Sequence, residues 1–436
     1  MTAFRWAPVC AALLLLTVLP ARGQESSELD DIRRELESLR SVVEQHSSRL
    51  QRSLQVHGYL SQGWMRSSDN NFLTDSDDGS FEFNEAAVTV QGEVSDSLHC
   101  GLQLLARDMG ELGSNDVVLD WAYLDYNIAE YLGARIGRVK MPVGMYNETR
   151  DFDAGRDCIL LPQGVYSDLL RDASLASNGM QLYGSCDIGL AGGLSYQAWI
   201  GGISVDDEEG GIPLFYEDRE QNAVDVSQLD IDYVSGFSFD WTTPLTGLRL
   251  NGSYGRLRGL SASGVTTAWA PMGAGVPFTT TMPDYDFRTC GLEYVWRDLR
   301  LAGEYQWQDA ADYARIGGVS RGRNGTHIDT FYVLASMQLG EAWAAGSYYS
   351  EYYGNTKDRD GHAYAAATGL PAYNRWQKDT AVFTRYDVTS NWTLKAELHL
   401  FEGTGQTLLA NNLDAYGNPR LEKNWHMFLL KASCSF

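Results

Sequence analysis

A short stretch in the first half of the chain concentrates charged side chains of both signs. Six of the ten residues from 148 to 157 are charged: Glu148, Arg150, Asp151, Asp153, Arg156 and Asp157. The aliphatic residues Ile159, Leu160 and Leu161 follow directly. Because exposing three consecutive aliphatic side chains to water is unfavourable, we expect the stretch to pack against an inner wall. Its charges could then line a passage, or simply pair with each other on a solvated loop.

Catalytic motifs are missing from the sequence. It contains no HExxH, no GxSxG and no glycine-rich phosphate loop ending in Lys. A serine-based site needs a partnered Ser and His, and the seven dispersed histidines suggest no preferred pair. The five cysteines beyond residue 23 lack CxxC spacing, so neither a disulfide framework nor a metal site is implied. We therefore predict a protein that is not an enzyme and has no metal or cofactor.

Composition excludes some classes of partner and favours many strands. The chain has 34 Lys and Arg against 57 Asp and Glu, a formal charge of −23, which argues against nucleic-acid binding. No stretch after the first twenty residues approaches the eighteen apolar residues of a membrane-spanning helix. Tyr, Trp and Gly are abundant, at 24, 12 and 44 residues, whereas Pro is scarce at 11. This balance favours a fold with many strands.

The N-terminal residues predict two segments that differ from the rest. Residues 1–23 have an apolar core behind Arg5 and end in small residues, which is typical of a signal peptide cleaved before Gln24. Residues 24–53 form a heptad pattern, which predicts a periplasmic helix that trimerises as a short coiled coil. A solvated helix or linker is the alternative. The seam residues are Leu29, Ile32, Leu36, Leu39, Val43, His46 and Leu50.

From residue 54 onwards, short alternating runs predict sixteen strands. In 391–402, for example, Trp392, Leu394 and Leu398 share one face, and the polar residues between them share the other. The predicted strands are 54–66, 81–93, 97–107, 117–127, 132–140, 179–185, 189–200, 230–241, 246–257, 286–297, 299–308, 328–338, 342–353, 379–388, 391–402 and 424–436.

The connections between these strands predict how the sheet closes. Tight turns alternate strictly with long polar loops, which is typical of an outer-membrane barrel whose short turns are periplasmic. A soluble β-sandwich would not normally exceed about 250 residues as one unit. We therefore predict an all-β fold: a sixteen-stranded antiparallel transmembrane barrel over 54–436, with both termini on the periplasmic side.

The last strand carries a resemblance. Trp425 to Phe436 alternates and ends on an aromatic residue, and so resembles the terminal strand of Gram-negative outer-membrane barrels. That resemblance implies location in the outer membrane and makes Phe436 the insertion signal for the barrel assembly machinery. Over 54–436 the chain resembles porins, whose third long loop narrows the pore. Here this loop is about 141–178, so the resemblance implies that its charged residues constrict the pore.

A second resemblance is more local. The stretch from Arg138 through Lys140 to Pro142 resembles the Gly-x-x-Lys-x-Pro motif of the phosphate-selective porin superfamily. However, the polar strand faces show no ladder of basic residues. Cations and carboxylates alternate on the predicted lumen wall, whose candidates are Arg249, Arg300, Glu304, Arg385, Lys395 and Glu397. The full set of predicted constriction residues is Arg138, Lys140, Glu148, Arg150, Asp151, Asp153, Arg156 and Asp157.

These patterns predict a porin for passive diffusion of small hydrophilic solutes. The acidic charge would favour cations. The expected partners are outer-membrane lipid or lipopolysaccharide and two further copies of the chain in a homotrimer. Two alternatives stay open: a structural or adhesive barrel plugged by its own loop, and a porin selective for anions such as phosphate.

Overall fold

The computed structural model describes residues 36–41, 54–110, 112–204, 210–414 and 417–436. The predicted signal peptide lies outside these residues, and so does most of the heptad segment. Residues 36–41 are helical (α1) and exposed, and they belong to the first of two compact units, Met1–Leu54 and Gln55–Phe436. Among the described residues, no helix has the length and apolar character needed to cross a membrane.

The second unit consists mainly of antiparallel strands. They are β1 Leu54–Ser67, β2 Asn84–Ser95, β3 Leu98–Asp108, β4 Val118–Ala129, β5 Leu132–Lys140, β6 Ala176–Asp187, β7 Gly193–Gly202, β8 Val224–Asp230, β9 Tyr233–Thr242, β10 Leu248–Thr266, β11 Pro277–Trp296, β12 Leu299–Ile316, β13 Val319–Gln338, β14 Trp343–Tyr353, β15 Trp376–Thr389, β16 Trp392–Gly403 and β17 Asn424–Ser435. Short helices lie in the long loops: α2 Arg171–Ser174, α3 Gly211–Arg219 and α4 His362–Thr368.

The strands close into a ring of sixteen positions. Apart from β8, each strand pairs with the strands next to it in sequence; β7 pairs directly with β9, and β1 pairs with both β2 and β17. Strands β8 and β9 both pair with β10, so together they occupy the position predicted as one strand over 230–241. At the closing seam, the backbones of Gly58 and Phe436 exchange two hydrogen bonds of 3.0 Å. The predicted sixteen-strand closed barrel is therefore confirmed.

Alternation along each strand gives the wall two different faces. On β16, Trp392, Leu394, Leu398 and Leu400 are exposed on the outer face. The residues between them point inward and are buried: Thr393, Lys395, Glu397 and His399. Burying polar groups is unfavourable unless they find partners. The inner face must therefore be covered by other parts of the chain, and the long loops provide this cover.

Strands β10 to β13 are longer than predicted. The additional residues are 258–266, 277–285, 309–316 and 319–327, at the long-loop end. Their outer part, 260–266, 277–282, 310–316 and 319–326, forms what we call the raised wall. The sequence prediction was wrong here for two reasons. Alternation is interrupted at Gly259, which has a φ of +67°, and around Pro283, where the register shifts. The outward residues of the raised wall, such as Thr279 and Thr281, are also polar rather than apolar.

Candidate pore-constricting loop

The loop between β5 and β6, residues 141–175, crosses the interior of the barrel. Ile159 is fully buried with Leu160 in a cluster that includes Met65, Phe72 and Trp425. Leu161 packs in a second cluster with Tyr332, Tyr348 and Phe383, on strands β13, β14 and β15. Strand β14 is eight positions from β5 in the ring of sixteen, so the loop reaches the opposite wall.

A buried ionic cluster fixes the middle of this loop, and we call it the Asp153 cluster. The Asp153 carboxylate lies 3.1 Å from Lys395 Nζ and 3.5 Å from Lys431 Nζ, and accepts a hydrogen bond of 2.7 Å from Ser433. Burial alone would raise the pKa of Asp153, but Lys395, Lys431 and Arg156 outweigh it and hold the pKa well below the ordinary value. The Asp153 carboxylate is therefore ionised and links the loop to β16 and β17.

A second ionic cluster fixes the two ends of the loop. Arg171, in α2, donates two hydrogen bonds of 2.8 and 3.0 Å to Asp120 on β4. Gln103 bridges Asp120 and Asp151, and Lys140 Nζ lies 2.8 Å from Asp151. Burial would raise the pKa of Asp151, but Lys140 and Arg171 lower it. Bidentate arginine–carboxylate pairs of this kind are geometrically specific.

Backbone groups of the loop are also bound by the wall. Glu304 on β12 accepts hydrogen bonds from Met145 N, at 2.8 Å, and from the hydroxyls of Tyr166 and Tyr332. Glu397 on β16 accepts the N–H of Ile159. Two predicted lumen-wall carboxylates therefore hold the loop in place and are not exposed to an open channel.

Other wall charges remain partly accessible on one side of the loop. Arg300 and Arg249 flank Glu293, at 2.6 and 3.3 Å, and Tyr146 of the loop donates to the same carboxylate at 3.0 Å. Both arginine side chains keep about a third of their surface exposed, at 32% and 33%. This pair of arginines forms a half-open polar surface facing the loop.

A cavity of about 360 Å³ lies below the loop towards the short-turn rim. It is lined by Phe152 and Asp153 of the loop and by Arg385 and Asp387 of β15. Arg385 donates to Asp387 at 2.8 Å and to the carbonyl of Ala154 at 2.7 Å. The lining therefore carries charges of both signs, most of them already paired.

The structure separates the predicted constriction residues into two groups. Arg150, Asp151 and Asp153 are buried, and Arg150 donates to Asp168 and to the Tyr166 carbonyl, both at 3.0 Å. The other members are partly exposed: Arg138, Lys140, Glu148, Arg156 and Asp157.

The partly exposed members contact nearby groups. Arg138 donates to the Asp120 carbonyl at 2.8 Å, and Glu148 accepts from Gln197 at 2.9 Å. Asp157 lies 3.8 Å from Arg385. Arg156 donates to the Arg150 carbonyl at 2.7 Å.

Sequence reasoning missed several of the partners that position the loop. Asp120, Gln103 and Arg171 were not singled out, because their positions become meaningful only when β3, β4 and α2 meet. Lys431 and Ser433 did carry a signal, since they alternate with the apolar residues of β17. No group of three or more metal-ligating side chains was found within the described ranges.

A second loop covers the interior at the long-loop end. Helix α3 places Tyr216 in a buried cluster with Val224 of β8 and with Leu260, Phe278 and Met282 on the inner side of the raised wall. Arg219 pairs with Asp312 on β12 at 2.9 Å. Asp218 accepts the N–H of Leu409, from the loop between β16 and β17, at 2.5 Å. Burial raises the pKa of Asp218 to about 6, although the Leu409 N–H and Arg375 oppose the shift.

The wall, the inward loop and the polar interior define a class: closed barrels with the architecture of outer-membrane channels. Comparison with solved structures gives the same class. The chain is similar to OmpF of Salmonella typhi in complex with daunomycin, with a TM-score of 0.52 at 13% identity over 88% of this chain and 97% of that one. It is similar to the outer membrane channel DcaP of Acinetobacter baumannii, with a TM-score of 0.51 at 10% identity over 88% and 97%.

It is also similar to a loop-deleted form of OmpT, an outer membrane protein of Vibrio cholerae, with a TM-score of 0.51 at 12% identity over 88% and 99%. At these identities the similarity establishes the fold. No protein-family model and no curated protein matches the sequence.

Proposed function

We propose that this protein is an outer-membrane porin that passes small hydrophilic solutes by passive diffusion. The observation that supports this most directly is the loop 141–175, which crosses a closed barrel and leaves a polar, partly accessible surface beside Arg249 and Arg300. The signal peptide, the periplasmic short turns and the outer-membrane location belong to the same proposal. So does the role of Phe436 as the insertion signal read by the barrel assembly machinery.

Within this function we assign two roles to the predicted constriction residues. Asp151 and Asp153 hold the loop, because they are buried and paired with cations. Glu148 and Asp157 border the passage, because their carboxylates remain partly exposed. The net charge of −23 supports a preference for cations, since a negative field concentrates them at the entrance.

Conductance measurement tests this function. The refolded protein in a planar bilayer is expected to give discrete conductance steps, with a reversal potential of the cation-preferring sign in a salt gradient. Charge reversal by E148K with D157K should move the reversal potential towards anions. The matched control is D75K, on an exposed residue of the first long loop. Discrete conductance steps with a reversal potential that E148K with D157K leaves unchanged would refute the assignment of Glu148 and Asp157 to the passage.

A plugged structural barrel is the second candidate, and a specific observation favours it. Helix α3 and loop 141–175 together bury much of the inner wall, including Lys395, Glu397 and His399. A plugged barrel would exclude even small sugars. Liposome swelling with solutes of graded size separates the two functions: a porin admits the smallest solutes, whereas a plugged barrel admits none.

We also propose a homotrimer assisted by the heptad segment. Deleting residues 24–50 is expected to lower the temperature at which the trimer dissociates on a native gel, because a coiled coil would hold three chains together. Conductance should persist, since the barrel closes through β1 and β17 without this segment. An unchanged dissociation temperature would show that the segment is a linker.

A further inference from the structure

The outer face of the barrel carries ion pairs near its long-loop end, with Lys378–Glu402 on β15 and β16 and a larger group on β10 to β12. On β10 to β12 the outward residues are apolar from the short-turn rim up to Tyr254 and Trp307, and then become charged. Three ion pairs form this region, which we call the arginine belt: Arg256–Asp286, Arg258–Asp284 and Arg288–Asp309.

The height of the arginine belt matches the edge of a membrane. On β12, the outward residues from Leu299 to Trp307 span eight steps, about 27 Å along the strand at about 3.4 Å per residue. At the usual strand tilt this is about 21 Å along the barrel axis, close to the apolar band of about 25 Å in such barrels. An arginine at the bilayer midplane is destabilising whereas one near the interface is tolerated, so the belt belongs at the head-group level.

Stability of the fold does not account for the belt. The side chains of Arg288 and Asp309 are 52% and 44% exposed, and their closest approach is 3.4 Å. Exposed pairs of this kind contribute little to the stability of a fold. The partner of Arg288 can therefore be exchanged at little cost, and a guanidinium exchanges a carboxylate readily for a phosphate because both accept two parallel hydrogen bonds.

The raised wall indicates which class of phosphate-bearing lipid suits the surface above the arginine belt. It continues seven residues beyond Gly259 on β10, about 24 Å of strand at about 3.4 Å per residue. Its outward residues include the hydroxyl-bearing Ser261, Thr279, Thr281 and Tyr313. A glycerophospholipid leaflet has no layer of this depth above its phosphates. An oligosaccharide attached to a phosphorylated lipid does, and sugars are bound well by hydroxyl-rich surfaces.

We propose that the arginine belt binds the phosphates of a lipopolysaccharide, with the raised wall lying against its sugars. Arg256, Arg258 and Arg288 bind the phosphate oxygens. Asp284, Asp286 and Asp309, released from their arginines, hold divalent cations that bridge to neighbouring phosphates. This inference rests on the proposed outer-membrane location but not on conduction, because every residue of the belt is on the outer face.

The test uses the full-length protein in detergent micelles. Binding of purified lipopolysaccharide is compared with its dephosphorylated form and with phosphatidylglycerol, by tryptophan fluorescence and by lipid retained on size exclusion. The expected result is at least tenfold tighter binding to lipopolysaccharide than to either comparison lipid. R256Q, R258Q and R288Q combined should abolish that difference, whereas R297Q, at the opposite rim, should preserve it. If the triple variant fails to fold, R288Q alone should weaken binding severalfold.

The outcomes are distinguishable. Equal binding of lipopolysaccharide and its dephosphorylated form would overturn the role of phosphate. Equal binding of phosphatidylglycerol would overturn the assignment to a glycolipid. Conductance of the triple variant should equal that of the unaltered protein. A barrel that binds lipopolysaccharide but conducts nothing would therefore refute the porin function and leave this inference intact.

Discussion

D153N is expected to give a larger and noisier single-channel conductance than the unaltered protein. The substitution keeps the shape of the side chain but removes the charge that compensates Lys395, Lys431 and Arg156 inside the barrel. Removing one member of a buried ion pair costs about 3–5 kcal/mol, because the remaining charge is left unpaired. The loop can relieve that cost by moving its middle section into the lumen water, which widens the passage beside β16.

The matched control for D153N is D157N, in the same loop and with the same change of charge. Asp157 is partly exposed and lies 3.8 Å from Arg385, so its loss should alter ion preference without releasing the loop. Limited proteolysis in micelles provides a second measurement, since a released loop should be cleaved faster after Arg156. If D153N and D157N conduct alike and resist protease alike, Asp153 does not anchor the loop.

The wall could be predicted because its physics is local. Lipid on one side and polar groups on the other impose a period of two, which residues 391–402 show without any knowledge of their neighbours. The same reasoning failed beyond the apolar band of the wall, where the outward residues Ser261 and Thr279 are as polar as the inward faces of other strands. The raised wall was therefore read as part of the loops, although its strands continue to Thr266 and Ile316.

The position of the loop could be inferred, but its partners could not. Ile159, Leu160 and Leu161 indicated an inward-packing segment, because three aliphatic residues are unfavourable in water. Nothing in the sequence identifies Lys395 as the partner of Asp153, since 242 residues separate them. Their pairing depends on ring closure, which places β17 and β16 five and six positions from β5 across the seam between β1 and β17. Helix α3 was missed for the same reason, because its apolar contacts come from β8, β10 and β11.

D218N is expected to remove a pH response of the conductance. Burial raises the pKa of Asp218 to about 6, so the carboxyl favours its protonated form while α3 is packed and ionises more easily once α3 is solvated. The packed position of α3 is therefore fully stabilised at a pH below the ordinary carboxyl value, and this stabilisation is lost as the pH rises through about 6. The pH-dependent part of this stabilisation of packed α3 is about 3 kcal/mol at most. The unaltered protein should conduct less at about pH 5 than at about pH 7.5.

Asparagine stays neutral at both pH values and still accepts the Leu409 N–H, so D218N should give the low conductance throughout. Asp225, exposed on β8, gives the control variant D225N, which should respond to pH as the unaltered protein does. Loop 141–175 does not explain such a response, because the pKa of Asp153 lies well below the ordinary carboxyl value and its anchoring persists until strongly acid pH. If the conductance of D218N responds to pH as much as that of D225N, α3 is not the source of the pH response. Another titrating group of the barrel would then be responsible.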